Sequence, residues 1–179
     1  MKSYQRWLFL LSCIAPSACG SGTEVLNPIS STYENTKYAF SIGLPDGWSV
    51  EEFTADNPTG ASLYSDPIGT AETVVAFTKG ETHLVILVDT LASGTTLSAY
   101  ADLRAADGDE TSTSSEDGID MITVNRDSDT TNSWGINLVY ASDGDLVLTL
   151  ALEIIATSVD EAQQLADEFV AILGALSLL

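Results

Sequence analysis

Between Tyr38 and Leu44 large apolar and small side chains alternate with a period of two, and Pro45-Asp46-Gly47 then precedes Trp48-Ser49-Val50. A period of two puts alternate residues on one face, so this segment predicts a strand, a tight turn and a second strand. Further strands are expected at Ala61 to Tyr64, Thr73 to Thr78 and His83 to Asp89. Within the last, Leu84-Val85-Ile86-Leu87-Val88 is continuously apolar, which predicts a central strand covered on both faces. Leu97, Tyr100, Ala101 and Arg104 then recur at helical spacing, predicting a helix over Thr96 to Ala106 capped by Thr95 or Thr96.

Asp107 to Asp117 is acidic, rich in serine and threonine and contains Gly108, and it is expected to be a mobile loop. Strands resume at Ile119 to Val124, Trp134 to Tyr140 and Leu146 to Ile155. The Asp143-Gly144 pair predicts a hairpin between the last two, because glycine tolerates positive φ. Ser158-Val159-Asp160-Glu161 matches a capping box, in which a serine accepts from the third helical amide and a glutamate reaches back. The helix behind it repeats Ala162, Leu165, Ala166, Phe169, Ile172 and Leu173 at spacings of three and four, so one apolar stripe must lie on a sheet. No internal repeat is visible.

The N-terminus changes the picture. Lys2 and Arg6 precede a short apolar run from Trp7 to Ala15, then come Ser17, Ala18 and Cys19. The run is too short to span a bilayer, and it predicts an export leader over residues 1–18. Gly20-Ser21-Gly22-Thr23 after the cysteine is a flexible tether, and the chain stays small and polar to Thr32. The layout resembles bacterial lipoprotein signals, which implies that the Cys19 thiol is acylated and becomes the first mature residue. Pro16 stands where that family places leucine; Leu10-Leu11-Ser12-Cys13 fits the local pattern, with Cys13 as the alternative anchor. An ordinary secretory signal cut after Ala18 is the third reading. Residues 19–32 are then the lipidated cysteine and tether, and residues 33–179 a single domain. Having no further cysteine, that domain has no disulfide. Gly20 after Cys19, rather than aspartate, resembles lipoproteins sorted to the periplasmic side of the outer membrane.

Removing Lys2 and Arg6 takes the six basic residues to four and the net charge from −20 to −22. Nucleic acid and anionic membrane surfaces repel such a domain. An acidic surface of this kind also resembles proteins of saline habitats, where a Debye length of about 3 Å at 1 M salt screens self-repulsion. A solvated acidic face kept for solubility explains it equally well.

Strands, one helix, more strands and a long terminal helix predict an α+β domain with a mainly antiparallel sheet covered by helices. The run Tyr33-Glu34-Asn35-Thr36-Lys37-Tyr38-Ala39-Phe40-Ser41-Ile42-Gly43-Leu44-Pro45-Asp46-Gly47-Trp48 resembles the opening of PsbP-like domains. Their start reads as tyrosine, polar residues, an aromatic-glycine-phenylalanine strand and proline-x-glycine-tryptophan. Ala39 stands where that family has glycine, a change that a strand tolerates. The likeness continues in outline through the helix at Leu97 and the terminal helix. It implies a PsbP-like α-β-α sandwich with a mid-chain and a long C-terminal helix. It also implies a role without chemistry, since photosynthetic members are extrinsic subunits on a membrane complex and many bacterial relatives are lipoproteins.

Candidate chemistry is thin. His83 is the only histidine, which excludes a multi-histidine zinc site, and it reads as a surface residue at a strand end. Asp107-Gly108-Asp109-Glu110, Asp127-Ser128-Asp129 and Asp143-Gly144-Asp145 offer hard oxygen donors suited to calcium. None has EF-hand spacing, and aspartate with glycine is also what turns use, so Asp127, Asp129, Asp143 and Asp145 are weak metal candidates. Trp48 and Trp134 are candidates for a partner or ligand surface, weighed against a place in the core. No catalytic residue and no cofactor is called for. The expected function is a lipid-anchored binding or assembly module of the bacterial envelope that docks on another envelope protein. A periplasmic carrier of a small apolar ligand and a calcium-binding surface protein are the alternatives.

Overall fold

The structure, a computed structural model, describes residues 28–52, 66–116, 119–128 and 130–178. Alternation and apolar runs become two antiparallel sheets. A three-stranded sheet runs β1 (Ile29–Asn35), β2 (Phe40–Pro45) and β10 (Ser177–Leu178), with β2 in the middle. A seven-stranded sheet has the order β3 (Ser49–Glu52), β4 (Glu72–Lys79), β5 (Thr82–Thr90), β9 (Leu146–Ile155), β8 (Ser133–Asp143), β7 (Ile119–Arg126) and β6 (Glu110–Glu116). The helices are α1 (Leu97–Asp102) and α2 (Val159–Gly174). The class is α+β, as expected.

The continuously apolar β5 is internal, between β4 and β9, and its first seven residues are all buried. Strand β2 hands the chain across the Pro45-Asp46-Gly47 turn to β3 in the other sheet, so these two strands do not pair. Gly43 lets β1, β2 and the end of α2 converge: a Cβ there would lie 2.8 Å from Ala175 Cβ and 2.9 Å from Ile29 Cγ2. Strands β8 and β9 form the expected hairpin, with Gly144 at φ +60.

Two apolar clusters lie on opposite faces of the large sheet. The larger joins Tyr33, Phe40, Ile42 and Leu44 of the small sheet, Phe77, Leu84, Ile86, Leu150 and Leu152 of the large one, and Ala162, Leu165, Phe169 and Ile172 of α2. The smaller joins Leu97, Tyr100 and Ala101 of α1 to Val85, Leu87, Ile122, Val124, Leu138, Tyr140 and Ala151.

Four expectations need correcting. Residues 29–32, expected to be tether, pair within β1 although their side chains stay exposed. Ala39 is not in a strand: it sits in the turn before β2 at φ +52, the left-handed region where a Cβ is penalised. The α1 helix stops at Asp102, short of the expected Ala106: Arg104 N–H donates to the Ala101 carbonyl at 2.9 Å in a tighter turn, and its side chain reaches the distant carboxylates of Asp66 and Asp89. The Asp107 to Asp117 segment is largely strand, since Glu110–Glu116 pairs in unbroken register with β7. The strand expected at Ala61 to Tyr64, and Cys13, Cys19 and the leader, lie outside the described residues.

Candidate functional site

Trp134 and the start of α2 build a groove of about 360 Å³ lined by Asn132, Ser133, Trp134, Ala156, Thr157, Ser158 and Val159. Local backbone chemistry shapes it. Asn132 takes φ +62, Gly135 takes φ +104, and the β8–β9 register breaks between Ser133 and Ile136. Such a bulge re-aims a side chain, here half-buried Trp134, whose Nε1 donates to the Ala156 carbonyl at 3.0 Å. On the far wall the expected capping box forms: Glu161 N–H donates to Ser158 Oγ at 3.2 Å, and Glu161 Oε2 accepts from Thr157 N–H at 2.8 Å. The amide and hydroxyl of Thr157, with the Ser158 amide, hold the Glu161 carboxyl below its ordinary range. No lining residue is ionisable, so the groove can bind through an indole, an amide and hydroxyls but has no acid or base of its own.

Trp48, the other tryptophan candidate, belongs to the core. It is 9% exposed, and its Nε1 donates to Glu168 Oε2 at 2.8 Å, because the turn after β2 folds the indole under α2. Glu168, 1% exposed, also takes Lys79 Nζ at 2.7 Å and Gln164 Nε2 at 3.1 Å. This buried carboxylate ties the turn, β4 and α2 together.

His83 is a correction: it is buried, not a surface residue, because β5 is flanked on both sides. Its register partner on β9 is Glu153, with His83 Nε2 to Glu153 Oε2 at 3.3 Å and both residues 8% exposed. Ser128 Oγ donates to the other Glu153 oxygen at 2.5 Å. Burial pushes the Glu153 pKa up, but the hydroxyls of Ser128, Thr130 and Ser133 and the neighbouring His83 imidazole outweigh it and hold the carboxyl low. A carboxylate standing between serine and histidine keeps the imidazole from acting as base to that hydroxyl, unlike a hydrolytic triad.

A third polar centre, which sequence spacing did not reveal, surrounds Arg104. Its Nε lies 2.8 Å from Asp66 Oδ1; its second terminal nitrogen donates to Thr70 Oγ1 at 2.8 Å and to Asp89 Oδ2 at 3.1 Å. The guanidinium is 4% exposed and stacks 3.5 Å from the centre of the Tyr100 ring. Burial raises the Asp66 pKa, but the Ala71 amide, Arg104 and the Thr70 and Ile68 amides outweigh it and leave it lowered. Asp109 behaves alike: burial is outweighed by Arg126, at 2.7 Å, and by the Ala106 amide. The Asp107-Gly108-Asp109 segment therefore spends Asp109 on a structural ion pair rather than on a metal.

Asp127 and Asp145 are exposed and sit at opposite ends of β8, so the fold does not bring those candidates together. Asp129 and the Asp143 side chain lie outside the described residues. Among the described residues no three histidine, cysteine or acidic side chains could hold a metal ion, and no helix is long and apolar enough to cross a membrane.

The solution structure of cyanobacterial PsbP (CyanoP) from Synechocystis sp. PCC 6803 superposes with a TM-score of 0.56, over 92% of this chain and 99% of that one, at 16% identity. The fold is PsbP-like. No protein-family model matches the sequence, and no curated protein matches it. Within the PsbP-like fold the Trp48 turn is a structural device, and the Trp134 groove is the open concave feature at the start of the terminal helix.

Proposed function

We propose that this protein is a non-catalytic docking module of the bacterial cell envelope, held by lipid on Cys19, or on Cys13, and bound through its PsbP-like domain to another envelope protein. The observation that carries this reading is the likeness to CyanoP over 99% of that chain, in a fold whose resemblance implies extrinsic subunits of membrane complexes. The polar chemistry supports it. The buried ionisable side chains described above are engaged with neighbours within the fold, and the groove has none in its lining. Gly20 supports placement on the periplasmic side of an outer membrane. The carrier alternative draws less support, because four of the seven groove residues are polar.

The test is crosslinking with mass spectrometry of the tagged full-length chain in its own host, with Cys19→Ala as the unanchored control. One envelope protein recovered with the wild type and depleted in the control, together with a diacylated N-terminal peptide, is the expected result. Recovery of nothing above background, or a mature chain carrying an unmodified thiol, would sink it.

A further inference from the structure

Sheet edges present unpaired N–H and C=O groups, and folded proteins blunt them with short strands, bulges, proline or charged side chains, lysine above all. Among the described residues the two sheets have four edges, and three are blunted by length or by a bulge. Strand β10 has two residues, β3 has four, and β1 carries a register break between Ile29 and Ser31. Strand β6 is neither short nor bulged. It runs seven residues as Glu-Thr-Ser-Thr-Ser-Ser-Glu, in unbroken register with β7 from Glu110↔Asn125 to Glu116↔Ile119, with neither lysine nor proline. Residues 110–115 are all exposed, and among the described residues β7 is the only strand paired to β6.

Charge decides what fits this edge. The four basic residues of the mature chain all lie in ion pairs: Lys37 with Glu72, Lys79 with Glu168, Arg104 with Asp66 and Asp89, Arg126 with Asp109. The field outside is therefore anionic. A second copy pairing antiparallel along β6 would set the glutamate end of one strand against that of the other, between two bodies of −22 charge. That pairing is repulsive at any register that uses the whole strand.

We propose that β6 is the docking edge, and that it takes an extended, lysine- or arginine-bearing segment of a partner protein by strand addition. Main-chain hydrogen bonds would supply the register, and the glutamate ends the preference for basic residues. This rests on the docking role proposed above and names its surface and the partner's chemistry.

The test uses the mature chain and two nine-residue peptides, one alternating threonine with lysine and one alternating threonine with glutamate. Amide shifts in two-dimensional NMR should fall on β6 and β7, with the lysine peptide bound at least roughly tenfold more tightly in dilute buffer. That margin should collapse at 1 M salt, where the Debye length is about 3 Å. Ser112→Pro and Thr113→Pro are made separately: adjacent amides on a strand point in opposite directions, so one variant loses a bond to β7 and the other only an outward donor. Whichever keeps the wild-type melting temperature should lose peptide binding. Glu110→Lys combined with Glu116→Lys should reverse the peptide preference. Shifts confined to other elements, unchanged binding by the fold-intact proline variant, or a dimer in sedimentation that the same variant abolishes would each overturn the assignment. If the crosslinked envelope partner is retained by that variant, the edge is wrong and the docking role stands; if the lysine peptide binds β6 but no partner is crosslinked, the docking role fails alone.

Discussion

On one face of the seven-stranded sheet, α2 lays Ala162, Leu165, Phe169 and Ile172 into a cluster that also takes in the small sheet. On the other, the six-residue α1 supplies Leu97, Tyr100 and Ala101, and the chain around it is held by Arg104 with Asp66 and Asp89, and by Arg126 with Asp109. Burying a large apolar side chain contributes about 1.5–3 kcal/mol, so the α2 face gains cohesion residue by residue from area. The α1 face has less area, and its position depends on directional polar bonds made away from water. Such bonds fix geometry well but leave uncompensated charge when one partner is lost.

Arg104→Met is the strongest way to break this comparison. It leaves Asp66 and Asp89 facing each other without their cation, and a loss of about 3–5 kcal/mol is expected in urea unfolding. Phe169→Ala, on the α2 face, should cost a similar 3–5 kcal/mol, roughly, through a cavity instead. If Arg104→Met costs less than about 1 kcal/mol, the ionic account of the α1 face is wrong. Glu168→Gln asks how far the α2 face also leans on charge. The amide oxygen can still accept from Trp48, and Lys79, with its side chain 27% exposed, can rehydrate, so a smaller loss of about 1–3 kcal/mol is expected by the same measurement.

Acid should separate the faces without mutation. A carboxyl whose pKa is lower in the folded than in the unfolded chain stabilises the fold above its unfolded value, and that contribution disappears as pH falls through the folded value. Asp66, Asp109 and Glu153 all have lowered values, from ordinary ones of 3.8, 3.8 and 4.5, and all serve the α1 side of the sheet or its margin. Stability should be flat near neutrality and decline as the pH drops below about 4.5, Glu153 contributing first. Amide exchange should then show α1 and β7 losing protection before α2. Glu72 and Glu161 are lowered as well, but both are solvent-exposed, and screening leaves their contributions small. Simultaneous loss of protection on both faces would contradict the comparison.

What could be read from the sequence was local. The apolar run of β5, the Asp143-Gly144 hairpin and the Ser158 cap each depend on neighbours a few residues away, and each forms as expected. The polar centres were hidden because their partners are distant: Trp48 meets Glu168 across 120 positions, and Arg104 meets Asp66 across 38. The helical spacing of Arg104 with Leu97, Tyr100 and Ala101 predicts a helix and is silent on the carboxylates of Asp66 and Asp89 that the side chain meets. Strand β6 reads as loop in the sequence because an edge strand with exposed side chains on both faces carries no period-two apolar signal. Trp134 was visible as a candidate, and Gly135 beside it was a sign of a bulge, but its groove needs the start of α2.

Ala39 provides the smallest and sharpest test, because a residue expected in a strand carries a measurable strain in a turn. The PsbP-like opening pattern has glycine there, and a strand would accept alanine without cost. At φ +52 the alanine Cβ instead crowds the following carbonyl, a penalty of roughly 1–2 kcal/mol that glycine avoids. Glycine gives part of this back through its greater freedom in the unfolded chain, about 0.4–1 kcal/mol. Ala39→Gly should therefore raise stability by up to about 1 kcal/mol, a shift of a few degrees in melting temperature for a domain of this size. The same substitution at Ala76, buried within β4, should destabilise. If Ala39→Gly lowers the melting temperature as Ala76→Gly does, the residue is not held in a left-handed turn, and the glycine of the family pattern serves another purpose.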